Sequence, residues 1–421
     1  LFITVHTLNG RQDRFMAGRR SYKSDVSFLE KISMGAVGTK RVFDDLREHG
    51  DSPLGLERGS MSFKIWKTIK IKRIRVPDIM CVDCGRRVES RAKTKLEISM
   101  SHSFSDPSRG WDYGLEDNDL IALIVCRRVG ARAVDWQADD LVQYISVKEL
   151  RTAQDARRIL SVAPKGAGEG FEARITWPAS VASAAGVITQ VTGERVQFRR
   201  CADRRAITLR LSKRGVRLDP LVYEGDRIAA GQVLASVVPV MRSFPCTKVM
   251  FEREYIARLS SPSLTDRYAA CKALSYFQSG EASPALARRA RDAKDHIYVR
   301  LEAAASLARH GDEHAIDLVR QCLSDAYLEN RLEAVIVLGE IHTAAASRVL
   351  IDCLCNREQH SEIRAGAAWA LGELRSRCAL DALMASFRSV DQSIRAEAAR
   401  ALAKLASEFT EEILGEFPAA G

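Results

Sequence analysis

Nowhere in the 421 residues is there a run approaching the ~20 consecutive apolar residues that a membrane-spanning helix requires. The longest plain run, residues 120–126 (LIALIVC), has the length of a buried strand. No basic end leads into an apolar stretch at the N-terminus, so no secretory signal is expected. Residues 1–25, which open on Leu1, carry no clear period. The ten cysteines sit mostly within apolar or helical pattern, which reads as reduced thiols and not a disulfide framework. A cytoplasmic chain with no membrane partner is the expectation. Three catalytic signatures are missing: the His-Glu-x-x-His zinc pair, the Gly-x4-Gly-Lys-Ser/Thr phosphate loop and the Gly-x-Ser-x-Gly elbow. The eight histidines are scattered, and His310, His314, His342 and His360 read as surface or packing residues of helices and loops.

What is present begins with a period. Arg267, Arg300, Arg331, Arg364 and Arg395 recur at steps of 33, 31, 33 and 31 residues. Each is followed by small residues (Ala303 and Ala304, Ala367 and Ala368, Ala398 and Ala399) and then by apolar residues at helical spacing. A second short amphipathic run, such as residues 314–325, completes the unit. One such helix pair cannot bury its own apolar face, so stacked neighbours make the core and the period marks a solenoid. The pattern resembles the bacterial HEAT repeat over residues 263–417. That resemblance implies an all-α solenoid domain, residues 246–421, that serves as a protein-binding surface.

The net charge of +10 is unevenly placed. Residues 1–100 hold 21 Lys and Arg against 12 Asp and Glu, a net of +9, and residues 263–421 hold 19 against 23, a net of −4. A phosphate polymer would be drawn to the first segment and not to the solenoid. Residues 26–49 read as a helix, with Asp25 as N-cap and Gly50 as stop. Residues 61–76 (MSFKIWKTIKIKRIRV) alternate apolar positions with Lys64, Lys67, Lys70, Lys72, Arg73 and Arg75, and no acid lies between residues 59 and 77. A strand there would present one basic face, either to nucleic acid or simply to water.

Asp78 follows, then Cys81-Val-Asp-Cys84-Gly85, then Glu89, Arg91 and Lys93 at alternate positions that share one face of a strand. Two carboxylates can hold magnesium through oxygen, and a neighbouring cation can position or activate the nucleophile. With the leading helix and a later strand after Asp119, this order resembles the PD-(D/E)xK restriction-endonuclease-like fold over residues 26–150. The resemblance implies Asp78 and Glu89 as metal ligands and an α/β module with Mg-dependent endonuclease activity. The family's lysine position is held by Arg91, which cannot give up its proton, leaving Lys93 as the substitute. Cys81 and Cys84 have the spacing of a zinc half-site. Two further ligands would have to come from Cys126, His102, His49 or a second copy of the chain; two unliganded thiols in a tight hairpin are the alternative.

Residues 151–170, with Pro164, Gly166, Gly168 and Gly170, read as a linker. Short strands then fill residues 171–245, where Gly225 and Gly231 suit tight turns and Val222, Ile228 and Val233 suit the interior. This stretch resembles the small β barrel-sandwich domains of the biotinyl and lipoyl type. Their carrier lysine stands at a hairpin tip between methionines. Lys213 sits instead beside Arg214 and Gly215, so no biotin or lipoyl attachment is expected.

A multidomain chain of three modules follows, with three functions open. The array recruits a protein partner while the basic module contacts nucleic acid; or the first module is a metal-dependent nuclease, as would suit bacterial defence; or the chain is a pure scaffold. The first is favoured, because the solenoid period is plain and Arg91 weakens the catalytic pattern.

Overall fold

The structure, a computed structural model, describes residues 25–56, 74–162 and 172–416. The expected basic strand falls largely outside them, including Lys64, Lys67, Lys70, Lys72 and Arg73; Arg75 is exposed, and its guanidinium donates to the Ser108 carbonyl, 3.3 Å. Two compact units are present, one within residues 25–248 and one within residues 249–416.

In the first unit, helix α1 (Asp25–Glu48) ends before Gly50, whose φ of +77° supplies the left-handed stop that glycine adopts without strain. A five-stranded sheet holds β1 (Pro53–Gly55), β2 (Ile79–Cys81), β3 (Arg87–Lys93), β5 (Leu120–Arg128) and β6 (Trp136–Ser146) in that order. Only β3 and β5 run parallel. Along β5, Leu120, Ala122 and Ile124 pack with Val42 and Leu46 of α1, while Ile121 and Leu123 enter a second core on the other face. Burial on both faces is why this strand reads as an unbroken apolar run. The helix lies close on the sheet: a Cβ added to Gly38 would stand 2.6 Å from Cβ of Ala92.

Residues 151–170 are not simply a linker. Helix α2 (Val147–Asp155) buries Val147, Leu150 and Ala153, and β7 (Leu160–Val162) pairs with β8 (Glu172–Trp177). Strand β8 pairs in turn with β4 (Ile98–Ser103) at six positions, so segments on either side of the expected linker form one sheet. Trp111 and Trp177 meet edge to face at 5.0 Å, and Trp177 donates its indole N–H to the Leu150 carbonyl, 2.9 Å. The α/β and small-β segments therefore share a core. Proline and glycine composition marks a loop but says nothing of which strands pair across it.

The remaining strands of this unit are β9 (Ala179–Val181), β10 (Gly186–Val191), β11 (Arg195–Arg200), β12 (Ala206–Arg210), β13 (Ser212–Lys213), β14 (Val216–Arg217), β15 (Asp219–Pro220), β16 (Arg227–Ile228) and β17 (Val233–Ser236). They form sheets ordered β12-β11-β10-β16 and β15-β17-β9, with a β13–β14 hairpin. Gly225 and Gly231 take φ of +91° and +80°, and Val222, Ile228 and Val233 are buried. Lys213 donates to the Ala179 carbonyl at 2.7 Å.

The second unit is helical: α3 (Glu252–Arg258), α4 (Leu264–Leu274), α5 (Ser283–Arg291), α6 (Ile297–Arg309), α7 (His314–Cys322), α8 (Leu328–Leu338), α9 (Ala344–Cys355), α10 (Ser361–Glu373), α11 (Leu380–Phe387) and α12 (Gln392–Glu416). Helices α4, α6, α8, α10 and α12 pack one upon the next, with α5, α7, α9 and α11 behind them. Buried alanines line the contacts, and two glycines meet the following repeat closely: a Cβ on Gly339 would lie 2.9 Å from Cβ of Ala370, and one on Gly372 would lie 2.8 Å from Cα of Ala401. The recurring arginines have a common task. Arg267 donates to the Ser261 carbonyl (2.8 Å), Arg300 to Ala290 (3.3 Å), Arg331 to Asp325 (2.5 Å), Arg364 to Leu354 (2.9 Å) and Arg395 to Ser389 (2.6 Å). Each acceptor lies near the end of the preceding helix, where carbonyls lack helical partners and a cation is favoured.

Candidate functional site

Strand β3 places Glu89, Arg91 and Lys93 on one face, with Val88 and Ala92 on the opposite face toward α1. Asp78 stands just before β2 and not at the end of a strand. The antiparallel register pairs Ile79 with Val88, so Asp78 lies one step beyond the paired residues, on the side of Glu89. Its carboxylate accepts the Ser90 amide at 2.7 Å. Each of these groups already has partners. Glu89 pairs with Arg91 at 3.1 Å, and the Lys93 ammonium donates to the Ser99 carbonyl at 2.5 Å and to its hydroxyl at 3.1 Å. Burial, followed by the charges of Arg174 and Arg91, pushes the Lys93 pKa down to about 8. Beneath them Arg87 forms a buried fork on Asp119 with two bonds of 2.8 Å, and burial pushes the Asp119 carboxyl up against the pull of that arginine.

A second cluster gathers around the two cysteines of the tight turn. Cys81 ends β2, and the turn through Cys84 closes with the Gly85 amide on the Cys81 carbonyl (2.8 Å) and Gly85 at φ +69°. Cys246, which the sequence pattern does not single out, comes alongside, with its sulfur 3.8 Å from that of Cys81. The three sulfurs lie within 4.8 Å of one another, and Asp51 and Asp83 each bring a carboxylate to Cys81 and Cys246. The hydrogen bond from Cys81 holds the Cys84 thiol down to about 6, while Cys81 is pushed up by that same pairing and by burial. Burial, then contact with Asp51, pushes Cys246 up to about 12. The sequence-based candidates are elsewhere: Cys126 donates to the Met34 carbonyl, His102 accepts the Trp111 amide, and His49 bonds the Asp45 carbonyl at 2.7 Å. Cys246 is separated from Cys81 by 165 residues; its only sequence signal is a cysteine in an irregular segment, outside any periodic run.

On the helical unit, the loops that enter α6, α8, α10 and α12 carry His296, Tyr327, His360 and Val390. His296 and His360 cap their helices, each ring Nδ1 accepting the amide two residues on. Tyr327 and Val390 are exposed to 69% and 99%. Because the long helices stack in order, these loops follow one another along one edge of the array.

Residues 253–329 and 319–403 match the family of HEAT repeats, so the C-terminal helical region is an array of HEAT repeats. No curated protein matches the chain. Among solved structures, the chain is similar to the complex of CpcE and CpcF of phycocyanin lyase from Nostoc sp., at 22% identity over 42% of this chain and 73% of that one, with a TM-score of 0.31. It is also similar to human deoxyhypusine hydroxylase, at 16% identity over 37% of this chain and 85% of that one, with a TM-score of 0.17. Importin beta gives 12% identity, 38% and 29% coverage and a TM-score of 0.24. No helix among the described residues is long and apolar enough to cross a membrane.

Proposed function

We propose that this chain is a HEAT-repeat interaction protein whose array recruits a protein partner, along the loop edge bearing His296, Tyr327, His360 and Val390. One observation carries the reading: a continuous run of HEAT repeats whose recurrent arginines are occupied by helix-end carbonyls, while large apolar side chains stand exposed in the loops between repeats. Such exposed groups on a rigid, periodic support suit a protein surface. The test is affinity capture with the full chain and with a Tyr327→Ala, Val390→Asp variant of unchanged Tm. A partner retained in fixed stoichiometry by the parent and lost by the variant supports the reading. Equal capture by both, or none by either, contradicts it.

A nucleic-acid contact is added in this proposal through the basic segment of Lys64, Lys67, Lys70, Lys72 and Arg73, which lies outside the described residues, and the exposed Arg75. Phosphate contacts would make affinity fall steeply with salt. A second reading, magnesium-dependent cleavage, is favoured by the placement of Asp78 on the side of Glu89, which shares one face with Lys93. These carboxylates would hold the ion, which supplies charge neutralisation and a more acidic bound water. Plasmid cleavage with magnesium that disappears in both Asp78→Ala and Glu89→Ala would establish it; an intact plasmid with the parent rejects it.

A further inference from the structure

The cysteine cluster belongs to the first unit and not to the helical array, and it is the most concentrated set of metal-binding groups among the described residues. Cys81 and Cys84 come from one tight turn and Cys246 from the far end of the same unit, and all three sulfurs converge within 4.8 Å. Carboxylate oxygens stand beside two of these sulfurs: the buried Asp51 meets Cys246, and the half-buried Asp83 meets Cys81 at 4.0 Å.

We infer that Cys81, Cys84, Cys246 and Asp51 bind one structural zinc ion, which fastens the segment around residue 246 to the β2–β3 turn. The spacing fits. Zinc–sulfur bonds of about 2.3 Å in a tetrahedron set sulfur–sulfur edges of about 3.8 Å, and Cys81 and Cys246 stand 3.8 Å apart. Three thiolates select zinc over hard cations such as magnesium. Asp51 stands within 4.8 Å of Cys81 and Cys246, and its closing on the ion beside Cys84 would complete the four ligands of a structural site. Asp83 has a different part: its carboxylate accepts the Ser52 amide at 2.8 Å, holding the residue next to Asp51 against the turn, as outer partners orient ligands. Lys248 bonds the Gly50 carbonyl at 3.0 Å and sets a positive charge on the segment that also carries Cys246. Binding involves no redox change. Each thiol releases its proton to solvent as its sulfur bonds the metal, and Asp51 enters as a carboxylate.

The test uses the full chain, purified reduced, with zinc per chain counted by plasma mass spectrometry and cobalt(II) titrated into metal-free protein. The expected results are one zinc per chain, tetrahedral cobalt bands with sulfur-to-metal charge transfer, and a Tm that chelation lowers. Cys246→Ser should cut the charge-transfer intensity by about a third, in proportion to the thiolates. Asp83→Asn should weaken binding by about 10–100-fold, as outer partners do, and Asp51→Asn by more. Three results would overturn the assignment: a folded parent that takes up neither zinc nor cobalt stoichiometrically, a Cys246→Ser variant with the parent's cobalt spectrum, or a Cys81–Cys246 disulfide in the untreated protein. The parent measurements stand even where a variant fails to fold.

Discussion

Arg364 sits in the first turn of α10 and donates to the Leu354 carbonyl near the end of α9, a group that the helix itself leaves without a partner. Arg364→Ala should therefore cost about 1 kcal/mol, read as a lower denaturation midpoint with an unchanged far-UV spectrum; an unchanged midpoint would mean that water replaces the guanidinium without loss. The recurrence of these arginines was legible from spacing alone, whereas their partners were not, since a carbonyl leaves no mark in a sequence. Lys93 carries a different consequence. Its folded pKa, about 8, lies below the ordinary lysine value, so between those two pH values the unfolded chain binds more protons and stability rises with pH. Below pH 8 the penalty is present in full. Relative to the parent, Lys93→Met should lose this rise, so that the stability difference between the two proteins changes by on the order of 2 kcal/mol between pH 7 and pH 10. Denaturant titrations at both pH values measure it, and a constant difference would show that Lys93 titrates normally.

Helix α1 illustrates what an element demands that its sequence does not advertise. Gly35 and Gly38 lie one turn apart, but a Cβ at Gly35 meets nothing within 4 Å, while one at Gly38 meets Ala92 of β3 at 2.6 Å. Gly35→Ala should stabilise by about 0.5–1 kcal/mol through helix propensity. Gly38→Ala should destabilise by about 1–3 kcal/mol, as overpacking outweighs the same propensity gain. Opposite shifts in Tm confirm the close approach, and equal ones contradict it. Strand β5 was legible because burial on both faces leaves an unbroken apolar run. The segment after residue 150 misled because α2 and β7 lie beside a stretch of proline and glycine. Likewise, Cys81 and Cys84 were visible through local spacing, while Cys246 reaches them only through folding. The shared face of Glu89, Arg91 and Lys93 could be read from alternation, but not the position of Asp78 opposite it or the Ser99 contact that occupies Lys93, which depends on β4.

At the scale of the whole molecule, the repeat array was the most legible part, because a solenoid writes the same packing contact into the chain at each period. The first unit was the least legible, because β4 and β8 are neighbours in space and remote in sequence. Function follows the same division: the array offers a periodic surface, and the sheet unit carries polar clusters held by long-range contacts. On the proposed function, a partner docks on the loop edge of the array. The most direct measurement places a photo-crosslinking amino acid at Tyr327 of the full chain in its source cell, with the same group at the exposed Arg210 of β12 as reference. A partner docked on this edge gives a discrete adduct of constant mass from Tyr327 and none of that mass from Arg210. No discrete adduct from Tyr327, or the same adduct from both positions, would contradict that docking.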